Sequence, residues 1–208
     1  AYNMHGSLLP KYRGRVPVNW AVLNGERETG ATLHEMTVKP DAGGIVDAQA
    51  VPILPDDTAV EVFRKVCVAA EITLQRALPG LVAGTAEARA QNQADASYFG
   101  RRTSADGAIN WRLGAWAVHN LVRAVAPPYP GAFATAGGMP LRVLRTLPAP
   151  GPATAQPELR WIDGEVRALC ADGALRLLEF ELDGQPCDAA AFRARYGTAA
   201  LPLDSAQQ

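Results

Sequence analysis

The chain has 208 residues, 48% of them hydrophobic, with a formal net charge of −1 and a pI near 6.4. That length carries one large domain or two small ones, and the balanced charge excludes a global pull towards nucleic acid or anionic membrane. Cys67, Cys170 and Cys187 are widely spaced and form neither a disulfide framework nor a metal motif, so inert buried thiols in a reducing cytoplasm are expected; no secretory signal is visible and no stretch reads as apolar and long enough to span a bilayer.

The first strand is expected around Tyr2 to His5, ended by Gly6. Pro17 follows a Gly-Arg turn and suits the first position of a short helix over 16–23, with Trp20 inward and Asn24-Gly25 as its stop. The alternating β-formers of 29–36 predict a strand, and 45–53 a second one with Pro52 near its end. Asp56-Asp57-Thr58 caps a long helix whose apolar positions Val62, Val66, Ala69, Ala70, Thr73, Leu74 and Leu78 keep helical spacing. Pro79-Gly80 is expected to break it. From Gly84 to Asp106 the composition turns to Ala, Gln, Asn and Asp, and a domain boundary is placed near Ala105. A helix over 113–126 follows, stopped by Pro127-Pro128. Strand-like runs at 132–135, 141–147, 165–170 and 174–182, with a hairpin signal at Asp172-Gly173, suggest a small barrel. A terminal helix is expected over 187–196 and a frayed end over 201–208. The domains are therefore drawn at 1–104 and 105–208.

The chemistry concentrates at the start, in Asn3-Met4-His5-Gly6-Ser7-Leu8-Leu9-Pro10-Lys11-Tyr12-Arg13-Gly14-Arg15. On a strand, Asn3 and His5 leave the same face, because side chains alternate with period two. An amide donor and an imidazole then converge on one volume. The plainer alternative is a strand end with a satisfied histidine, followed by a basic surface loop. Ser7 reads equally well as a substrate contact or as a turn-stabilising hydroxyl. His34 and His119 read as structural.

Asn-x-His-Gly-Ser-Leu-Leu-Pro-x-Tyr-Arg-Gly resembles the signature loop of the 10-formyltetrahydrofolate-dependent formyltransferases. The resemblance continues through Gly30-Ala31-Thr32-Leu33-His34-Glu35-Met36 to Pro40-Asp41-Ala42-Gly43-Gly44. It implies an α/β fold: the C-terminal part of a Rossmann-like catalytic domain, with the site at the carboxyl ends of parallel strands, followed by a small OB-like β-barrel. It assigns catalytic roles to Asn3, His5 and Asp41, and cofactor contacts to Arg15, Thr37, Val38, Lys39, Pro40 and Asp41. Formyl transfer to an amine needs fixed donors for the tetrahedral oxyanion and a group that moves protons. The Asn3 amide suits the first task and His5 the second, with Asp41 stabilising the imidazolium. The co-substrate implied is 10-formyltetrahydrofolate, and no metal is expected. In the resembled family a βαβ half precedes the motif. Ala1-Tyr2-Asn3 reads as the middle of a strand, so a fragment lacking the front of its catalytic domain is expected.

Within the family, Pro17-Val18-Asn19-Trp20, Phe99-Gly100-Arg101-Arg102-Thr103 and 122–133 are most similar to the branch that formylates UDP-4-amino-4-deoxy-L-arabinose in lipid A modification. From Ala105 onward there are nine Arg, no Lys and ten Asp or Glu. A tRNA-binding domain would be expected to present a basic surface, so the balance favours a small UDP-linked sugar over methionyl-tRNA. An inactive remnant or binding module is the remaining alternative.

Overall fold

A computed structural model of the chain describes residues 1–205. Two compact units are present, Ala1–Arg102 and Thr103–Gln208.

In the first unit, β1 (Tyr2–His5), β2 (Arg13–Gly14), α1 (Pro17–Leu23), β3 (Glu28–Glu35), β4 (Ile45–Pro52), α2 (Ala59–Ala83) and β5 (Tyr98–Phe99) follow in order. The main sheet has the order β1-β3-β4 and both pairings are antiparallel. This corrects, for the described strands, the expectation of a site at the carboxyl ends of parallel strands. The 36–44 connection between β3 and β4 is too short for the crossover that parallel neighbours need. The parallel pair is instead the short β2–β5 ribbon. A register shift beside Leu33 and His34 breaks the β3–β4 ladder, and such irregularities re-aim side chains.

Period two sorts the sheet into two faces. Asn3 pairs with His34 and His5 with Thr32 across β1–β3, so those four side chains share one face. Tyr2, Met4 and Leu33 lie on the other, where they line a cavity with Ala70, Leu74 and Leu81 of α2. That helix starts with a capping box: the Thr58 hydroxyl accepts from the Glu61 N–H, and the Glu61 carboxylate accepts from the Thr58 N–H. It buries Ala59, Val62, Val66, Ala69 and Thr73 at helical spacing. Cys67, expected to be buried, lies between these positions and is exposed. Pro79 does not break the helix, which runs on to Ala83 and stops at Gly84. Gln75 and Pro79 both lie on the exposed side, where water replaces the hydrogen bond that proline removes. By length and composition α2 could cross a membrane, which corrects the expectation that no stretch could. It packs on β3 and β4, while Phe63, Val68, Leu78 and Val82 on its remaining surface are exposed.

The second unit contains α3 (Ala115–Ala124), β6 (Ala132–Ala136), β7 (Met139–Ala149), β8 (Glu158–Ile162), β9 (Glu165–Cys170), β10 (Gly173–Leu182), β11 (Gln185–Cys187), α4 (Ala189–Tyr196) and β12 (Leu201–Asp204). The sheet order is β11-β10-β7-β6-β12-β8-β9, and a β9–β10 pairing closes six of these strands into an OB-like barrel. Register shifts around Glu179 bend the long β7–β10 pair, as closure requires. Trp111, Val118, Val122, Leu141, Val143, Leu159, Leu175, Phe180 and Phe192 fill the interior.

Three expectations change here. Residues 201–204, expected to fray, pair with β6 and β8, because Leu203 is buried in the barrel core; 206–208 lie outside the described residues. Strand β8, unassigned from sequence, pairs with β9 through an Asp163-Gly164 turn, both residues at positive φ (50° and 88°). The helix expected over 113–126 is shorter, because its first N–H is capped from a distance: the Ala115 N–H donates to Oδ1 of Asp172, 2.6 Å away.

Candidate active site

β1 and β3 bring Asn3, His5 and His34 together, and the loop after β3 returns Asp41 to the same face. Asp41 Oδ1 lies 3.6 Å from His5 Nδ1 and 3.4 Å from His34 Nε2. Its Oδ2 accepts the Gly14 N–H at 2.8 Å. Gly14 has φ +99°, and a Cβ there would stand 2.3 Å from the Phe99 carbonyl oxygen. Only glycine lets β2 run this close to β5 with its N–H turned to Asp41. Asp41 itself has φ +54°, a left-handed conformation that aspartate tolerates better than most residues.

The surrounding carbonyls fix the imidazole tautomers. His5 Nε2 lies 2.8 Å from the Tyr12 carbonyl oxygen, and a carbonyl only accepts, so Nε2 carries the proton. His34 Nδ1 lies 2.8 Å from the Glu35 carbonyl oxygen, so that nitrogen carries the proton there. In the neutral rings the lone pairs sit on His5 Nδ1 and His34 Nε2, the two atoms nearest Asp41 Oδ1. Asn3 Nδ2–H donates to His34 Nε2 at 3.1 Å. The second Asn3 N–H meets no partner among the described residues. The site therefore offers one unengaged amide donor beside a place where a proton finds imidazole and carboxylate acceptors.

His5 is 7% exposed and His34 only 2%. The loop that follows β1 is tied down by short bonds. Thr32 Oγ1 donates to the Ser7 carbonyl at 2.7 Å and accepts the Leu9 N–H at 3.2 Å. Ser7 Oγ donates to the Lys11 carbonyl at 2.7 Å and is fully buried, so its hydroxyl serves the turn. Tyr12 stacks on Phe99 at 4.8 Å and donates its hydroxyl to Glu26 at 2.7 Å. Burial first, with Glu26 adding to it against Asn24, pushes that phenol up to about 12.

The other expected contacts stand apart from this cluster. Arg15 is exposed after β2, and Thr37, Val38, Lys39 and Pro40 form an exposed stretch leading to Asp41. Within it Thr37 Oγ1 donates to the Lys39 carbonyl, and Lys39 Nζ sits 5.3 Å from the centre of the Tyr98 ring. Burial tends to raise the Tyr98 hydroxyl, but Arg13 and Lys39 outweigh it and hold it below the usual phenol range. His34, read from sequence as structural, is a member of the site. Its parity with Thr32 on one strand was visible in sequence, but its place opposite Asn3 is set by the β1–β3 register. His119 is buried in the second unit, with Nδ1 2.9 Å from Thr146 Oγ1.

Residues 1–78 match the family described as formyl transferase, and residues 102–197 its C-terminal domain. The chain belongs to the formyl transferase family. Among solved structures it is similar to an N-formyltransferase from Helicobacter canadensis in complex with folinic acid and dTDP-3-aminofucose, with 23% identity and a TM-score of 0.72 over 89% of this chain and 66% of that one. It is also similar to a sugar N-formyltransferase from a Shewanella species, with 26% identity and a TM-score of 0.57 over 64% of this chain and 55% of that one. HypX from Aquifex aeolicus in complex with tetrahydrofolic acid matches with 19% identity and a TM-score of 0.69 over 93% of this chain and 35% of that one. The chain thus spans just under two thirds of the Helicobacter protein and about a third of HypX.

Proposed function

We propose that the protein transfers a formyl group from 10-formyltetrahydrofolate to the amine of a nucleotide-linked amino sugar. The observation that carries this reading is the convergence of Asn3, His5 and Asp41 on one sheet face in a chain of the formyl transferase family. The acceptor amine attacks the formyl carbon, and a C–N bond forms. The bond from that carbon to N10 of the folate breaks, and the proton lost by the amine ends on N10. The unengaged Asn3 N–H suits the tetrahedral oxyanion. The His5–Asp41 pair suits passage of the proton. Arg15 and the Thr37–Val38–Lys39–Pro40 stretch are assigned to the folate, as the sequence resemblance implies.

The acceptor proposed is UDP-4-amino-4-deoxy-L-arabinose. It is supported by the Pro17–Trp20, Phe99–Thr103 and 122–133 resemblances and by the even balance of nine Arg against ten Asp or Glu from Ala105 onward. The Helicobacter structure, with its dTDP-3-aminofucose, makes a dTDP-linked amino sugar the second candidate. Incubating the whole protein with 10-formyltetrahydrofolate and, in parallel, the UDP-sugar, a dTDP-amino sugar and methionyl-tRNA tests the reading. A formylated UDP-sugar is the expected product. Preference for dTDP-sugar overturns the choice of nucleotide, and preference for methionyl-tRNA overturns the sugar class.

A further inference from the structure

Arg13 is fully buried and its guanidinium meets no carboxylate among the described residues. Its partners are neutral. Nη1 donates to Gln93 Oε1 at 3.0 Å and to the Tyr98 hydroxyl at 2.8 Å. Nε and Nη2 both donate to Gln91 Oε1, at 3.2 and 2.6 Å. A guanidinium only donates, so the Gln91 amide has its oxygen towards Arg13 and its nitrogen on the far side. There Nε2 donates to the Asp41 carbonyl at 2.9 Å and to the Gly43 carbonyl at 2.7 Å. Gln91 is itself 8% exposed, so these bonds form with little competition from water.

The geometry points to Gln91 as a positioning residue for Asp41. It takes the charge of Arg13 on its oxygen, which polarises the amide and strengthens its two N–H donors. Those donors clamp the backbone on either side of Ala42. Gly14, next to Arg13 in β2, holds the Asp41 carboxylate from the other side through its N–H. The backbone clamp and the side-chain clamp both trace back to β2. Without the backbone clamp, nothing else among the described hydrogen bonds fixes the Asp41 carbonyl, and the left-handed φ of Asp41 is free to relax. Its carboxylate then drifts from His5 and His34.

The kinetic half of the test rests on the proposed formyl transfer; the spectroscopic half does not. Gln91→Glu keeps an acceptor for Arg13 but removes both donors, and Gln91→Met, of similar shape, removes donor and acceptor together. The chain has three histidines, His5, His34 and His119, so 15N-histidine labelling of the full protein gives a small set of imidazole signals. In Gln91→Glu the His5 and His34 signals should move in the direction seen for Asp41→Asn, while His119, in the other unit, stays in place. If the His5 and His34 signals collapse to the positions of the urea-unfolded protein, the first unit has unfolded and Gln91→Met decides by the same readout. Unmoved His5 and His34 signals in a folded variant overturn the assignment.

In activity, kcat should fall by about 10²-fold, the scale for displacing a catalytic group by roughly an ångström, while both KM values change less than the rate does. Gln91→Glu combined with Asp41→Asn should lose no more than Asp41→Asn alone, because one residue acts through the other. Additive losses overturn it. If the wild-type protein formylates no acceptor, the reading of the reaction fails, and the imidazole signals alone decide the role of Gln91.

Discussion

Asp41 Oδ1 stands 3.6 Å from Nδ1 of His5, on the opposite side of the ring from the bond that Nε2–H makes to the Tyr12 carbonyl. The distance is longer than a hydrogen bond. A proton placed on Nδ1 makes His5 an imidazolium held between a carbonyl and a carboxylate. The ring is thus fixed in orientation, and in the proposed transfer Asp41 is placed to stabilise the charge that a proton on Nδ1 would create.

If the imidazole works on protons in the transition state, as proposed, His5→Ala in the whole protein should abolish nearly all turnover and leave binding of the sugar nucleotide largely intact. Equilibrium binding measured beside turnover separates the two. Loss of sugar binding in step with activity would make His5 a structural residue.

Asn3→Ala should lower kcat on the order of 10²–10³, the scale for loss of one oxyanion donor. The same change also frees His34 Nε2, as does Asn3→Asp, whose carboxylate donates nothing, so comparing the two variants holds that loss constant. Asn3→Asp keeps the size of the side chain but replaces the donor with a second carboxylate facing the oxyanion. A steady-state comparison should find Asn3→Asp no better than Asn3→Ala; substantial activity in Asn3→Asp would remove the oxyanion role.

His34 shows where sequence reading stops. The Asn3–His5 pair was legible because period two is local: two residues on one strand need no partner to be compared. His34 enters the site through the β1–β3 register, which sets it opposite Asn3, and register is a long-range property. The same limit explains β12, whose partners β6 and β8 are remote in sequence; β8 pairs with its neighbour β9, and its Asp163-Gly164 was as strong a turn signal as the Asp172-Gly173 of the next hairpin. In that second hairpin the turn itself falls one residue earlier, on Ala171-Asp172, with β10 starting at Gly173. Pro79 misled for a different reason. Its cost depends on whether the freed carbonyl faces water, and exposure is set by packing.

Because His34 holds Asn3 and faces Asp41 together, His34→Ala should cost activity although the ring is nearly inaccessible. A fall in kcat of about 10-fold or more is expected, for a misplacement of the amide and carboxylate by a fraction of an ångström. Turnover of His34→Ala equal to wild type would return the residue to a purely structural role.

Thr29 offers a stability test away from the site. It is 3% exposed on β3, and its Oγ1 has no hydrogen-bond partner among the described residues. A buried unmade hydroxyl bond costs about 1–3 kcal/mol. Thr29→Val keeps the β-branched shape and removes that cost, so the melting temperature of the first unit should rise by about 4–8 °C for each kcal/mol recovered. A drop would mean that Oγ1 is satisfied in solution.

Cys170 gives the second unit an alkaline limit. Burial, with Asp172 adding to it, pushes its thiol from an ordinary 9.0 up to about 12. The unfolded chain therefore releases the thiol proton at lower pH than the folded one. Between those two values the folded state binds more protons, and stability falls as pH rises. The contribution of the neutral buried thiol is complete below the unfolded value and is lost on the way to the folded one. Denaturant unfolding, followed through Trp111, Trp116 and Trp161, should show the second unit weakening from about pH 8 to about pH 10.5. Cys170→Ala removes the titrating group. It should be less stable at the lower pH for loss of packing, yet show a smaller decline between the two pH values. An equal decline in both proteins would assign the alkaline sensitivity to another group.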